Sequence, residues 1–382
     1  MKIESGFYKK SLAERQNIIA EMYDFDIKDI TTSHVALADQ MIENCIGSQT
    51  IPLGLGLNFS IDGKEVVVPM AIEEPSVIAA ASGAAKTIKA NGGFWTTNDK
   101  NLVCSQICIR SYRLHEDYTT IMSNKVDIIY RANELCRNMV NRGGGVEDLI
   151  LRIVPRTKSK SVAIDSLNDT IADGWCIIHI LINVCDSMGA NISATIAEGL
   201  TPHLQELLPL SKVSVRIVSN LNTYRTTKAK FEIPIEQLAF KEFNGITVAK
   251  GILEVYSLGL DDPYRTCTHN KGVMNGVIAV ALATGQDTRA IEANVHGYAH
   301  MNDYSPLTTY SIQNNKFIGQ IELPLPIGTV GGSIQTLPSS RSCLKILGHP
   351  NVDQLSRVFV FHIDNGMCRS SFQFCSFKSI IY

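Results

Sequence analysis

The run "WCIIHILINVCDSMGAN", residues 175–191, decides the fold class. A strongly apolar strand breaks into Asp186, Met188, Gly189 and Asn191, and a helical stretch, "ANISATIAEGLTPHLQELL" (190–208), follows at once. A strand, a glycine-bearing loop and a helix in that order present backbone N–H groups and the positive end of a helix, which suits a phosphate. The spacing is not G-x-G-x-x-G, so the usual Rossmann reading fails, and the loop taken alone is equally an Asx-type helix cap. The same alternation continues outward. Strand-like "VCSQICI" (103–109), "LILRIVP" (149–155) and "KVSVRIVS" (212–219) accompany a second helical candidate, "KVDIIYRANELCRNMV" (125–140). Over residues 104–221 this is the pattern of a small sheet covered by helices.

The flanking sequence has another character. Residues 11–45 read as helical, and "KEVVVPMAI" (64–72) is a β-branched run. The stretch "PSVIAAASGAAKTIKA" (75–90) reads as a helix with Pro75 in its first turn and Asn91-Gly92-Gly93 to stop it. Small-residue helices resume after the sheet unit and lead to the strand-like "FIGQIELPLPIG" (317–328). The expected fold class is α+β. A large helical domain with a central helix and small sheet elements (1–103 and 222–360) is interrupted by a small α/β domain (104–221) and followed by an atypical tail (361–382).

Composition bounds the function. With 382 residues, 45% hydrophobic, 19% charged and a formal net charge of −2, the chain is neither disordered in composition nor basic enough to suggest a nucleic-acid partner. Its start, "MKIESGFYKKSLAERQ", lacks the apolar core of a signal peptide, and no run reaches the roughly 18 apolar residues of a membrane span. No membrane partner and a cytoplasmic location are expected. The 10 cysteines are scattered without a C-x-x-C pair and read as reduced thiols. His296 and His300 stand four apart without a third ligand, so no metal is expected.

Ionisable residues flank two small-residue helices. In "THNKGVMNGVIAVALATGQD" (268–287), a helix read from Asn275 to Thr284 and stopped by Gly285 has Lys271 near its start and Asp287 just beyond its end. Both charges oppose the helix macrodipole. Glu73 and Glu74 directly precede the helix at 75–90. Each site alone reads as a solvated loop charge or a helix cap. Packed together, the two helices would assemble a carboxylic acid, an ammonium and a second carboxylate.

The stretches "ENCIG" (43–47), "PMAIEEPSVIAAAS" (69–82), "DSMGAN" (186–191), "RTCTHNKGVMNG" (265–276), "ATGQDTRAIEA" (283–293) and "LPLPIGTVGG" (323–332) resemble the motifs of 3-hydroxy-3-methylglutaryl-CoA reductase. Their order and spacing are similar to the soluble bacterial class II form, and the resemblance runs to about Phe359. It implies that hydroxymethylglutaryl-CoA is reduced by two successive hydrides to mevalonate and free CoA. The catalytic glutamate, lysine and aspartate of the family match Glu74, Lys271 and Asp287. A cation at Lys271 would stabilise the negative charge that each hydride attack places on the carbonyl oxygen. Glu74 would act as acid towards the aldehyde, and Asp287 would couple to both so that the trio titrates as a unit. Ser76, Asn220, Arg265 and Asn275 match positions that hold the hydroxymethylglutaryl moiety. Asp186, Met188, Gly189 and Asn191 match the nucleotide loop of a ferredoxin-like small domain. The resemblance also implies a homodimer with active sites at the interface, the small domain of one subunit serving the large domain of the other. NADPH is the expected cofactor, with NADH the alternative, since nothing decisive meets the adenosine 2′ position.

The tail departs from the family. Class II reductases continue into a helical flap whose histidine protonates the departing CoA thiolate, whereas this chain reads "VFHIDNGMCRSSFQFCSFKSIIY" (360–382) with no histidine after His362. A frame change in the coding sequence is the expected origin, and loss of a general acid commonly costs roughly 10²–10⁴-fold. Impaired reduction is therefore one expectation. The alternative is a catalytically inactive relative that binds a CoA ester or nucleotide, or dimerises with an intact reductase.

Overall fold

The computed structural model describes residues 10–23, 35–157, 174–301 and 303–360; the tail at 361–382, His362 included, lies outside them. The chain divides into two compact units, Met1–Pro52 and Leu53–Tyr382. In the first unit the expected helical character takes the form of α1 (Leu12–Tyr23) and α2 (Val35–Met41). Ser11 and Glu14 box the start of α1: the Glu14 N–H donates to Ser11 Oγ at 3.3 Å, and the Ser11 N–H donates to Glu14 Oε2 at 2.7 Å.

The second unit opens with an antiparallel hairpin, β1 (Leu53–Ile61) and β2 (Lys64–Ala71). Asp62 and Gly63 turn it with φ of 46° and 78°, the paired positive angles of a tight hairpin turn. Next comes α3 (Val77–Ala90). Its start is later than the sequence suggests, because Ser76 takes a left-handed φ of 73° and Pro75 lies in the turn before the helix.

After β3 (Trp95–Asn98) the chain builds β4 (Leu102–Ser111), α4 (Leu114–Ser123), α5 (Lys125–Leu135), α6 (Arg137–Val140), β5 (Gly145–Pro155), β6 (Gly174–Asn183), α7 (Ala190–Leu207) and β7 (Lys212–Val218). The helical candidate at 125–140 breaks at Cys136, whose φ of −126° is not helical. The four strands pair antiparallel in the order β5-β6-β4-β7. Helical connections between β4 and β5 and between β6 and β7 make this a ferredoxin-like sheet. Its core packs Ile107, Ile109, Ile178 and Ile180 of the strands against Ile128 and Ala132 of α5 and Ile196 and Leu200 of α7.

The chain continues through β8 (Thr226–Pro234), a 3-10 turn at Ile235–Leu238, α8 (Gly245–Asp261), α9 (Pro263–Ala283), α10 (Thr288–His300), β9 (Thr308–Gln313) and β10 (Lys316–Pro324). It closes with α11 (Gly332–Thr336), α12 (Pro338–Ile346) and α13 (Val352–Phe359). A second antiparallel sheet has the order β3-β8-β10-β9. Phe94, Phe231 and Phe317 bury their rings in a core shared with Val273, Val277 and Val280 of α9. The helix α9 is the central one, with buried residues along most of its length and an apolar second half from Val273 on. No helix among the described residues is long and apolar enough to cross a membrane.

Two corrections concern the charges flanking this helix. It begins at Pro263, where Asp262 caps it by accepting from the N–H groups of Tyr264 and Arg265, so Lys271 lies in mid-helix and not near its start. At the other end Gly285, with φ of 71°, makes a Schellman turn. Its N–H donates to Leu282 O at 3.3 Å, and the Gln286 N–H donates to Ala281 O at 2.9 Å. Asp287 is then the N-cap of α10, accepting from the N–H groups of Arg289 and Ala290. A carboxylate there is favoured by the α10 dipole, so the apparent conflict with α9 disappears.

Candidate active site

The lysine and the first carboxylate meet. Lys271 Nζ lies 2.7 Å from Glu74 Oε2, and Asn275 Nδ2, one turn further along α9, donates to the same oxygen at 3.1 Å. The Glu74 side chain is 28% exposed and that of Lys271 59%, and Lys271 and Asn275 line a cavity. That cavity, about 390 Å³, is also lined by Glu73, Cys267, Glu292 and His296. Between Glu74 and α3 the chain turns at Ser76, whose φ of 73° is left-handed. Ser76 is exposed, and its side chain forms no cap bond.

The proposed nucleotide loop meets the second carboxylate elsewhere. Met188, Gly189 and Asn191 line a cavity of about 490 Å³ with Gln286, Asp287 and Arg289. Gly189, with φ of 100°, is the N-cap of the 18-residue helix α7 and offers its first-turn N–H groups no side-chain acceptor. A Cβ on Gly189 would lie 2.8 Å from Val103 and 2.9 Å from Val184, so both backbone angle and space demand glycine. Asp186 fixes the loop from behind: its Oδ1 accepts from the Val352 N–H at 2.9 Å. Burial would push the Asp287 carboxyl up, but the amides of Ala290 and Arg289 and the Arg289 guanidinium, 3.3 Å away, hold it below the usual aspartate range.

Lys271 and Asp287 are thus not brought together within the chain. About 18 Å of helix axis separates Lys271 from the end of α9, at 1.5 Å per residue. The helix α10 gives a second measure. His296 lines the Lys271 cavity, and it stands about 13 Å along the axis from Asp287. Neither side chain spans such a gap, and among the described residues Lys271 pairs with Glu74 and Asp287 with Arg289. The expected trio is therefore split into a Glu74–Lys271–Asn275 half and an Asp287–nucleotide-loop half.

The remaining expected residues sit nearer the first half. Arg265 is half-buried on α9, about 9 Å along the axis from Lys271 and a third of a turn round, on the side of buried His269. Burial lowers its pKa. Burial, with Arg265 nearby, pulls His269 down to about 4, so its neutral ring bonds Thr308 Oγ1 at 2.7 Å. Asn220 is exposed just beyond β7, and its neighbour Leu221 lies against Gly297 of α10. Sequence reading weighed His296 only as a metal ligand and overlooked Glu292 and Cys267, which share the cavity wall with it. The i, i+4 spacing of Cys267, Lys271 and Asn275 was the available signal for the cysteine. His296 Nε2 lies 3.2 Å from Glu292 Oε2, and His296 Nδ1 lies 3.1 Å from the Tyr304 hydroxyl. Among the described residues no cluster of three or more His, Cys, Asp or Glu side chains could hold a metal. Burial pushes the thiols of Cys104 and Cys176 up to about 12 and about 11, as befits inert core cysteines.

A glycine-capped helix on a ferredoxin-like sheet, with acid–base side chains divided between two cavities, describes an α+β enzyme of non-Rossmann type. Comparison with known proteins makes the class particular. The family model described as hydroxymethylglutaryl-coenzyme A reductase matches residues 11–361. The 3-hydroxy-3-methylglutaryl-coenzyme A reductase of Archaeoglobus fulgidus is 39% identical over 360 residues, covering 92% of this chain and 78% of the relative. The class II 3-hydroxy-3-methylglutaryl-CoA reductase from Streptococcus pneumoniae, solved bound to NADPH in open conformations, superposes with a TM-score of 0.80 at 29% identity, over 97% of this chain and 100% of that one. Another structure of the Streptococcus pneumoniae reductase gives a TM-score of 0.82 at 30% identity, over 97% and 87%. The chain belongs to the hydroxymethylglutaryl-coenzyme A reductase family.

Proposed function

We propose that this chain reduces 3-hydroxy-3-methylglutaryl-CoA to mevalonate and CoA, with NADPH as the reductant, in a homodimer whose active sites each combine the two halves from different subunits. The observation that carries the reading is the separation of Lys271 from Asp287. Each chain holds one copy of each half, and a two-fold axis supplies two complete sites from two chains. An exposed apolar face supports the dimer: Leu53, Leu55 and Leu57 of β1 and Val67 of β2 are all at least 40% exposed.

NADPH supplies the hydride when bound. Its diphosphate suits the cavity at Gly189, because the open first turn of α7 would face an anion there and Gly331 and Gly332 leave open space where Cβ atoms would stand. In the partner's half, Lys271 donates to the thioester oxygen and stabilises the charge that grows on it. Asn275 and Lys271 hold Glu74 in place, and Glu74 exchanges a proton at the same oxygen once the aldehyde forms. Arg265 takes the substrate carboxylate, with Ser76 and Asn220 at the edge of the pocket. Asp287, brought across the interface, couples to Lys271 and sets its hydrogen bonding. The segment 104–221 acts as the nucleotide-binding domain, and the remainder as the substrate-binding and dimerisation domain. A soluble, cytoplasmic enzyme follows from this reading.

The test is NADPH oxidation by the purified 382-residue chain with hydroxymethylglutaryl-CoA, with NADH in parallel. Turnover that Lys271→Ala abolishes is the expected result. Absence of turnover with either nucleotide, in a folded dimer, would favour the inactive relative that binds CoA ester or nucleotide.

A further inference from the structure

The loop at 186–191 does not stand alone. Arg225, only 4% exposed, lies just before β8 and reaches two backbone carbonyls: its Nη1 donates to Met188 O at 3.0 Å and its Nη2 to Ile327 O at 2.7 Å. The Thr329 N–H donates to Asp186 O at 2.8 Å. Gly328 between them is so close to the loop that a Cβ there would lie 2.6 Å from Met188 N. Gln286 joins from the other side: its Nε2 donates to Gly328 O at 2.9 Å, and its Oε1 accepts from Gly328 N at 3.0 Å. Gln286 is the residue before Asp287, and the Schellman turn of α9 fixes its backbone.

We propose that Arg225 and Gln286 are positioning residues that fasten the 186–191 loop, the 325–329 segment and Asp287 into one rigid body, so that nucleotide binding and the placement of Asp287 are set together. The inference rests on the reading that the cavity at Gly189 takes the nicotinamide nucleotide. Two features set this clamp apart from ordinary packing. First, a buried guanidinium is costly to desolvate, and burial pulls the Arg225 pKa down to about 9, yet its bonds are to carbonyls and not to a carboxylate. Among the described residues no carboxylate pairs with it, and its positive charge lies beneath the loop that would face an anionic nucleotide. Second, the planar fork reaches the two carbonyls from two separate nitrogens, whereas a lysine has only one nitrogen to offer. Gln286 pairs reciprocally with the N–H and C=O of one residue, as a neighbouring strand would, and so carries the position of Gly328 directly to Asp287.

The experiment compares the wild-type chain with Arg225→Lys and Gln286→Glu. The first keeps the charge and loses the fork; the second keeps the shape and loses the donor. Four kinds of measurement are made: NADPH binding by fluorescence titration, hydroxymethylglutaryl-CoA binding in the absence of nucleotide, hydrogen–deuterium exchange of the apo chain, and steady-state kcat and KM. Arg225→Lys is expected to weaken NADPH binding roughly tenfold, leave substrate binding unchanged and speed exchange at the amides of 187–192 and 327–329. Gln286→Glu is expected to lower kcat roughly tenfold with little change in the KM for NADPH. Folded variants with wild-type NADPH affinity, kcat and exchange would overturn the inference alone. A wild-type chain that binds no NADPH would overturn the cavity reading and the inference with it. A uniform loss of affinity for both ligands would mark a merely structural role and also overturn the inference.

Discussion

Single substitutions at Lys271 and Asp287 should each abolish reduction, yet a mixture of the two inactive proteins should recover activity. The basis is distance. About 18 Å of α9 lies between Lys271 and the helix end, and about 13 Å of α10 lies between Asp287 and the wall of the Lys271 cavity. If the two residues act on one substrate, they come from different subunits. Consider Lys271→Ala co-expressed in equal amounts with Asp287→Asn. Random pairing makes about half of the dimers mixed, and each mixed dimer holds one site with both residues intact and one with neither. About a quarter of the wild-type rate should return, against a loss of roughly 10²-fold or more for either variant alone. A second mixture discriminates further. Wild type co-expressed with the double variant should keep about a quarter of full activity if sites are shared, because every mixed dimer is dead. It should keep about half if each chain carries its own complete site. The assay is NADPH oxidation at saturating hydroxymethylglutaryl-CoA, with the mixed species confirmed by differential tags. A mixture of the two single variants that is no more active than either alone would refute the shared-site reasoning.

Other expectations concern the scaffold. Gly285→Ala forces a side chain into a φ of 71° and within 2.9 Å of Ser340 Oγ, and should cost about 1–2 kcal/mol in urea unfolding; an unchanged midpoint would contradict the Schellman turn. Asp262→Ala removes the acceptor for the first N–H groups of α9 and should cost about 1 kcal/mol by the same measurement, whereas Asp262→Asn should restore most of it. Asp62 joins the hairpin turn to α13: it accepts from the Thr96 N–H at 2.8 Å and from Arg357 Nη1 at 2.7 Å. Burial pushes its carboxyl up, but these bonds outweigh it and hold the pKa below its usual 3.8. A group depressed in the folded state stabilises above its unfolded pKa and loses that contribution as pH falls through the lowered value. Thermal scans from neutral to acid pH should therefore show the wild type losing its advantage over Asp62→Asn below pH 3.8; parallel curves would sink the idea.

What could be read in the chain depended on whether a local pattern matched the tertiary environment. The strands of the ferredoxin-like sheet are long apolar runs bounded by turn residues, and all four were visible at 103–109, 149–155, 175–184 and 212–219. The strand β1 was not, because "LGLGLNFSI" is broken by glycines and turns its leucines outward. The first half of α9, "PYRTCTHNKGVM", likewise carries no apolar stripe. It is helical because Asp262 and Pro263 start it, and because its polar residues find partners in the core: Asn270 bonds Ser305 O and the Leu307 N–H, and His269 bonds Thr308. That one misplaced boundary carried the largest functional consequence. Counted from Asn275, the helix leaves Lys271 in a loop free to fold back towards Asp287. Counted from Pro263, it fixes Lys271 on a rigid rod, more than a side chain's reach from Asp287. Motif order could identify Glu74, Lys271 and Asp287 without revealing that one chain keeps them apart. Arg225 and Gln286 were invisible for a related reason: their partners are backbone groups more than 30 residues away in sequence, and no side-chain pattern records where a backbone passes.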